Sequence, residues 1–212
     1  MTSRYILRSN LLPNLLSNKS INIIVAVKDT SAFNSLVQQY GKRITFIQAP
    51  HVLNEHSLKL KIYKYIRLVQ MLGIPNDHRF SAIWVKRELF KKDFNYSIIK
   101  RLFVLSITIL HRNVFFVRSI LRSINNILLL DENYTSFLRN NYIDKILLDG
   151  LNSFLPVNAK WISSAKKLDI NTITIVTNWD HPTTRGYELI NSNQYLVWGK
   201  SMRDEIIKYH DI

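Results

Sequence analysis

A chain of 212 residues that is 47% hydrophobic and 11% aromatic can bury a core of its own, needs no disulfide or metal to hold it, and is too apolar to be intrinsically disordered. It contains no cysteine, which excludes disulfide scaffolds, thiolate zinc sites and cysteine nucleophiles. Lys and Arg number 29 against 15 acidic residues, a net charge of +14, and such a one-sided field points to an anionic partner: phospholipid head groups, a phosphorylated substrate or nucleic acid.

In chain order, residues 4–16 place Ile6, Leu7, Leu11, Leu12, Leu15 and Leu16 at helical spacing, with Pro13 a point of kinking. The β-branched run INIIVAV (21–27) predicts a strand buried on both faces, as in a parallel sheet. A helix over 31–40 stopping at Gly41 and a strand RITFIQA (43–49) follow, a βαβ rhythm that predicts an α/β fold. The rhythm breaks over about 51–140 and resumes with a strand at 143–149 and a helix at 158–168. The strand NTITIVT (171–177), the strand QYLVWG (194–199) and a helix from Ser201 complete it. Residues 1–212 therefore read as one Rossmann-like domain carrying a long basic helical insertion. Its five glycines include no G-x-G-x-x-G or G-x-x-x-x-G-K-[ST] loop, so ordinary dinucleotide and P-loop sites are excluded.

The charge is concentrated in the insertion. Between Lys59 and Arg122 there are fourteen Lys and Arg against Asp77, Glu88 and Asp93, a net +11. On a helical wheel through residues 97–122, Lys100, Arg101, His111, Arg112, Arg118 and Arg122 share one arc, while Ile98, Leu102, Ile109, Phe116 and Ile120 lie opposite. Asn113 is a point where such a helix can be interrupted. Two readings are open. The helix lies in a membrane interface, its basic edges on anionic lipid, or it packs its apolar face inward as any domain helix does. The apolar run from Leu102 to Leu110 falls short of the roughly 20 residues a membrane span needs. The basic-aromatic stretch KLKIYKYIRLVQ (59–70) could contact nucleic acid, but no nucleic-acid module is legible in it, and a solvated helix face accounts for it. The six histidines include no H-x-x-x-H pair, so no metal site is expected.

The segment TNWDHPTTRGY (177–187) follows an apolar strand, and its polar groups fall at the strand's carboxyl end, where ligand loops of open parallel sheets gather. Thr183, Thr184 and Arg185 suit a phosphate or sugar hydroxyls, Asp180 could accept a hydroxyl proton, and Gly186 lets the backbone approach closely. The same residues also suit a capped βα turn. Asp149, followed by Gly150, falls on the same edge, where a polar turn explains it.

The string N-W-D-H-P-T-T-R-G (178–186) resembles the S-W-D-N-L-T-S-K-G segment of a bacterial family of two-domain glycosyltransferase-like proteins. These have the GT-B architecture and stand near capsule-synthesis enzymes, CDP-glycerol glycerophosphotransferases and UDP-N-acetylglucosamine 2-epimerases. Trp179, Asp180, Thr183 and Gly186 match outright, Thr184 and Arg185 are close replacements, and His181 and Pro182 depart from the pattern. LVWG (196–199) with the helix after it, and residues 4–27, resemble further family segments, so about half the chain is covered.

The resemblance implies the N-terminal, acceptor-side domain of such a protein, without its opening strand and without the C-terminal GT-B domain. The whole protein would act in surface-polysaccharide synthesis at the cytoplasmic face of the cell membrane. It also implies a nucleotide-activated sugar or polyol donor held mainly by the other domain, with no cofactor on this one. Asp180 is then the candidate base, and Asn178, Trp179, Thr183, Thr184, Arg185 and Gly186 are candidate ligand contacts. Lys100, Arg101, Arg112, Arg118 and Arg122 are the candidate contacts to membrane or to a phosphorylated acceptor. The alternative is a non-catalytic basic module on anionic membrane or nucleic acid. If the opening strand is missing, INIIVAV exposes an apolar edge, and the chain by itself is expected to aggregate.

Overall fold

A computed structural model describes residues 10–27, 30, 38, 41–50, 58–73, 98–152, 156–176 and 187–212. They form α-helices and short parallel sheets, a mixed α/β fold. By contact they divide into two compact units, residues 1–53 and 54–212.

In the first unit, helix α1 (Leu11–Ser17) is followed by strands β1 (Ile23–Val27) and β2 (Ile44–Gln48). The strands pair in parallel, from Ile23 opposite Ile44 to Val27 opposite Gln48. Pro13 sits in the first turn of α1, where its missing N–H has no helical partner to lose, so it does not interrupt the described helix. Leu12 and Leu16 pack on Ile23, Val25, Ile44 and Phe46. The strand expected to be buried on both faces is only half-buried, with Ala26 exposed. The described apolar cluster gathers Ile23 and Val25 from one side of the pleat only. Gly41 (φ 64°) takes the left-handed conformation and leads into a 3-10 turn, Gly41–Arg43. From that turn Arg43 donates to the carbonyls of Leu16 (2.5 Å), Asn18 (2.5 Å) and Ile21 (2.9 Å), joining the end of α1 to the start of β2. Residues 1–9 lie outside the described residues, as does the helix expected at 31–40 apart from Gln38, which is helical.

The second unit runs α2 (Leu58–Gly73), α3 (Ile98–Asn113), α4 (Phe115–Leu128), α5 (Glu132–Asn140), β3 (Lys145–Asp149), α6 (Pro156–Lys167), β4 (Asn171–Ile175), β5 (Gln194–Leu196) and α7 (Lys200–His210). Its sheet has the order β3-β4-β5, all parallel, with Lys145 opposite Asn171 and Ile173 opposite Gln194. Helix α6 is the crossover of a βαβ unit. Tyr134 and Leu138 of α5 and Ala159, Ile162 and Ala165 of α6 form the main core with Leu148, Leu189 and Tyr63. Trp161 meets Tyr134 edge-on at 4.6 Å between centroids. A second cluster joins Leu151, Val176, Met202 and Ile206.

The helix expected through residues 97–122 breaks where Asn113 stands. Val114 is extended (φ −120°, ψ 105°), and the two arms bend by 112°. The cause is local. The Asn113 side chain donates to the Ile109 carbonyl (3.0 Å), and Arg118 donates to the carbonyls of His111 (3.2 Å) and Arg112 (2.9 Å). The free carbonyls at the end of α3 are thus satisfied without continuing the helix.

The faces of these two helices are also inverted. His111, Thr108 and Asn125 are buried, and the Arg118 and Arg122 side chains are only 13% and 12% exposed. Leu102, Ile109, Phe116 and Ile120, the apolar side of the wheel, are exposed, Phe116 by 69%. No single described helix is long and apolar enough to cross a membrane; α3 and α4 pass that test only as the bent pair.

Candidate functional site

The carboxyl edge of the three-stranded sheet is built by two turns. β3 ends at Asp149, and Gly150 (φ 78°) turns the chain while its N–H still donates to the Ile175 carbonyl (2.8 Å). Asn158 of α6 clamps this turn, its amide donating to the carbonyls of Asp149 (2.8 Å) and Gly150 (3.0 Å). Asp149 Oδ1 is buried with no hydrogen-bond partner among the described residues. Beside it, β4 continues into buried Val176, whose N–H donates to the Leu196 carbonyl (2.9 Å). From there the chain passes into residues 177–186. Asn178, Trp179, Asp180, Thr183, Thr184, Arg185 and Gly186 all lie outside the described residues. What is described is the strand end from which the chain reaches them.

The chain reappears at Tyr187 as an irregular, buried segment through Ile190. Buried backbone without secondary structure must find partners, and here polar side chains supply them. Asn152 Oδ1 accepts from the N–H groups of Leu189 (2.8 Å) and Ile190 (3.3 Å), and its amide donates to the Ile190 carbonyl (2.6 Å). Asn125 donates to Gln70 Oε1 (2.8 Å) and to the Leu189 carbonyl (3.3 Å). His210 Nδ1 accepts from the Glu188 N–H (3.1 Å), which requires that nitrogen to carry no proton. Sequence reading missed this network. Its only signal is a scattered set of amides and a histidine, Gln70, Asn125, Asn152 and His210, with no spacing that joins them.

A charged cluster adjoins it. Arg118 grips both Asp211 oxygens (2.5 and 2.9 Å), while Arg122 stands 3.6 Å from Asp211 and donates to the His210 carbonyl. His111 is fully buried, with neither ring nitrogen hydrogen-bonded among the described residues, and meets Tyr187 edge-on at 4.7 Å. Burial, reinforced by the Arg118 and Arg122 charges, pushes its imidazole down to about 4. Of the five cations read from the helical wheel, Arg118 and Arg122 are thus brought together but face inward. Arg112 is partly buried, and the side chains of Lys100 and Arg101 lie outside the described residues. In α2, Lys59, Lys61 and Lys64 are exposed, whereas Tyr63 is core. Among the described residues no group of three His, Asp or Glu side chains could hold a metal ion.

Beside Arg122 opens a polar cleft of about 290 Å³. Ser119, Arg122, Ser123 and Asn126 line it from one face of α4, Lys166 from the last turn of α6, and Asn191 from the segment before β5. No protein-family model, curated protein or solved structure matches this chain.

Proposed function

We propose that this chain is the acceptor-side half of a glycosyltransferase-like or glycerophosphotransferase-like protein of bacterial surface-polysaccharide synthesis, Rossmann-like and of the GT-B type. The reading is carried by one observation. In the sequence the N-W-D-H-P-T-T-R-G segment follows β4, whose end lies at the carboxyl edge of a parallel sheet beside the Asp149–Gly150 turn. That is the edge where open α/β sheets hold ligands. In this proposal Asp180 takes the proton of an acceptor hydroxyl as it displaces the leaving group of a nucleotide-activated sugar or polyol phosphate. Thr183, Thr184 and Arg185 hold the acceptor's oxygens. The donor is bound mainly by a second Rossmann-like domain.

The gene downstream of codon 212 tests it: a second Rossmann-like domain in frame is expected, and its absence overturns the two-domain reading. In the protein carrying both domains, Asp180→Asn is expected to lower transfer by about 10²–10⁴-fold with binding retained, the range of a lost general base.

A second reading, a basic module that docks on anionic membrane without chemistry, is favoured by the outward ridge on α3 and α4. Leu102, Phe103, Ile109, Leu110, Phe115 and Phe116 are all exposed, Phe103 by 65%. Exposed apolar side chains on helices that also carry cations suit an interface helix pair. Arg118 and Arg122 are committed internally, so lipid phosphates would have to be met by other cations. Salt-dependent binding to random DNA without binding to anionic vesicles would replace this reading by a nucleic-acid one.

A further inference from the structure

We infer that the elbow between α3 and α4, residues 109–116, is a wedge that enters one leaflet of an anionic membrane while the far ends of both helices stay outside the hydrocarbon. The wedge rests on the membrane-docking reading and names the part of the surface that goes in. Ile109, Leu110, Val114, Phe115 and Phe116 are all exposed within eight residues, the highest local density of exposed large apolar side chains among the described residues. The inward side of the elbow is polar. His111 is fully buried, and Arg118 donates to the His111 and Arg112 carbonyls while it holds Asp211. A helix pair buried in a water-soluble core has the opposite arrangement, with its apolar side in and its polar side out.

Geometry limits how far the pair can go in. Residues 102–128 are together as apolar as a membrane span, but the chain turns by 112° at the break, so α4 runs part-way back toward the side from which α3 came. At 1.5 Å per residue neither arm exceeds about 24 Å, short of the roughly 30 Å of a hydrocarbon core. A doubled-back pair of that length reaches one leaflet, not two. Nor can α4 insert along its whole length. Arg118 and Arg122 tie it to Asp211 and to the His210 carbonyl, and leaving them would strip a part-buried ion pair of its partners. The elbow is what remains free to dip, by about 5–10 Å, as interfacial helices do.

Charge selects the occupant. Helices α2, α3 and α4 carry four, three and two Lys or Arg residues and not one Asp or Glu. They pack as one layer, Leu68 and Val69 of α2 against Val104 of α3 and Leu121 of α4. Such a layer repels a second copy of itself and is drawn to anionic lipid. Lys59, Lys61 and Lys64 are its exposed cations on α2. They are set back along the helix from Gly73, the α2 residue packed against His111 beside the elbow. Their attraction therefore acts through the field of the surface and weakens with salt, whereas the apolar contact of the elbow does not.

The chain has no cysteine, so a single environment-sensitive fluorophore can be placed on the full chain at one exposed site at a time. Leu110→Cys and Phe116→Cys label the elbow, and Leu102→Cys and Ile127→Cys label the far ends of the two arms. With vesicles of phosphatidylglycerol in phosphatidylcholine, the elbow labels are expected to lose contact with water and to be quenched by nitroxides on the lipid acyl chains, while the far-end labels stay wet. Phe116 and Ile127 are equally exposed, which makes them a matched pair for a second measurement. Phe116→Ser is expected to weaken vesicle partitioning about tenfold, the loss of one buried ring, and Ile127→Ser to leave it nearly unchanged, both with the parent's melting temperature. If vesicles bind but all four labels are quenched alike, or Ile127→Ser weakens binding as much as Phe116→Ser, the pair lies flat: membrane docking stands and the wedge is overturned. If no vesicles bind, docking and wedge fall together. If the elbow labels are already dry without lipid and light scattering finds a dimer, the elbow is a contact between copies and the wedge is likewise overturned.

Discussion

His111 and Gly73 make one contact from two sides. A Cβ on Gly73 would lie 2.3 Å from Nδ1 of His111, far inside any real approach, so the last residue of α2 is glycine because a buried imidazole occupies the space. Gly73→Ala is expected to destabilise by about 1–3 kcal/mol through overpacking. Combining it with His111→Ala should recover part of that, a non-additivity that denaturant midpoints will read. The same histidine gives the protein an acid limit. Its imidazole titrates at 6.5 in the unfolded chain and at about 4 when folded. Between those values the unfolded state binds a proton that the folded state refuses, so stability falls as pH drops through that window and levels off below it. The loss amounts to about 3 kcal/mol. Arg118 and Arg122 sharpen it, and Asp211 opposes it. Melting temperatures at pH 7, 5 and 4 should fall more steeply for the parent than for His111→Leu; parallel curves would remove His111 as the cause.

At the scale of elements, α5 and α6 are joined by a buried ion pair. Asp131 caps α5 by accepting from the Asn133 N–H (3.0 Å), and the same carboxylate meets Lys160 of α6 at 3.2 Å with both side chains under 10% exposed. The Ser164 hydroxyl donates to the Asp131 carbonyl (3.2 Å), so one residue fixes the angle of two helices. Lys160→Met leaves that carboxylate buried without its cation and should cost about 3 kcal/mol. Asp131→Asn keeps a capping oxygen, so the double variant should be more stable than Lys160→Met alone by chemical denaturation. The break between α3 and α4 belongs to this scale as well. It was foreshadowed by Asn113, but its 112° bend is held by Arg118, whose partners include Asp211, 93 residues later in the chain. A helical wheel carried through that point assumes one axis, and two exist.

For the whole molecule, the consequence is an apolar ridge turned outward on a chain with a sequence pI of about 10. Replacing Phe103 and Phe116 by Ser removes two of its largest side chains without touching a described core cluster. Burying two such rings is worth several kcal/mol at about 25 cal/mol per Å². The double variant should leave the melting temperature unchanged and lower vesicle partitioning or self-association by at least tenfold; cosedimentation and light scattering measure both. The amino-acid sequence by itself determined the parallel α/β character, because short β-branched runs such as IVAV and NTITI, alternating with helical periods, favour strands between helices. It also placed β3, α6, β4, β5 and α7 to within two or three residues, and it located the polar segment after β4, since these are local properties of period and turn chemistry. Which face of α3 and α4 is inside was decided only by tertiary structure. Amphipathicity records that two faces differ, and burial of the apolar one is a default that a sufficient set of internal polar partners overrides. Here the irregular strand of backbone at 187–190, Asp211 and the end of α3 supply those partners to Asn125, Arg118 and Arg122. The cleft follows from the same long-range pairing. Residues 119–126, 166 and 191 form one wall-to-wall recess only after the chain has folded, and no spacing along the sequence joins them.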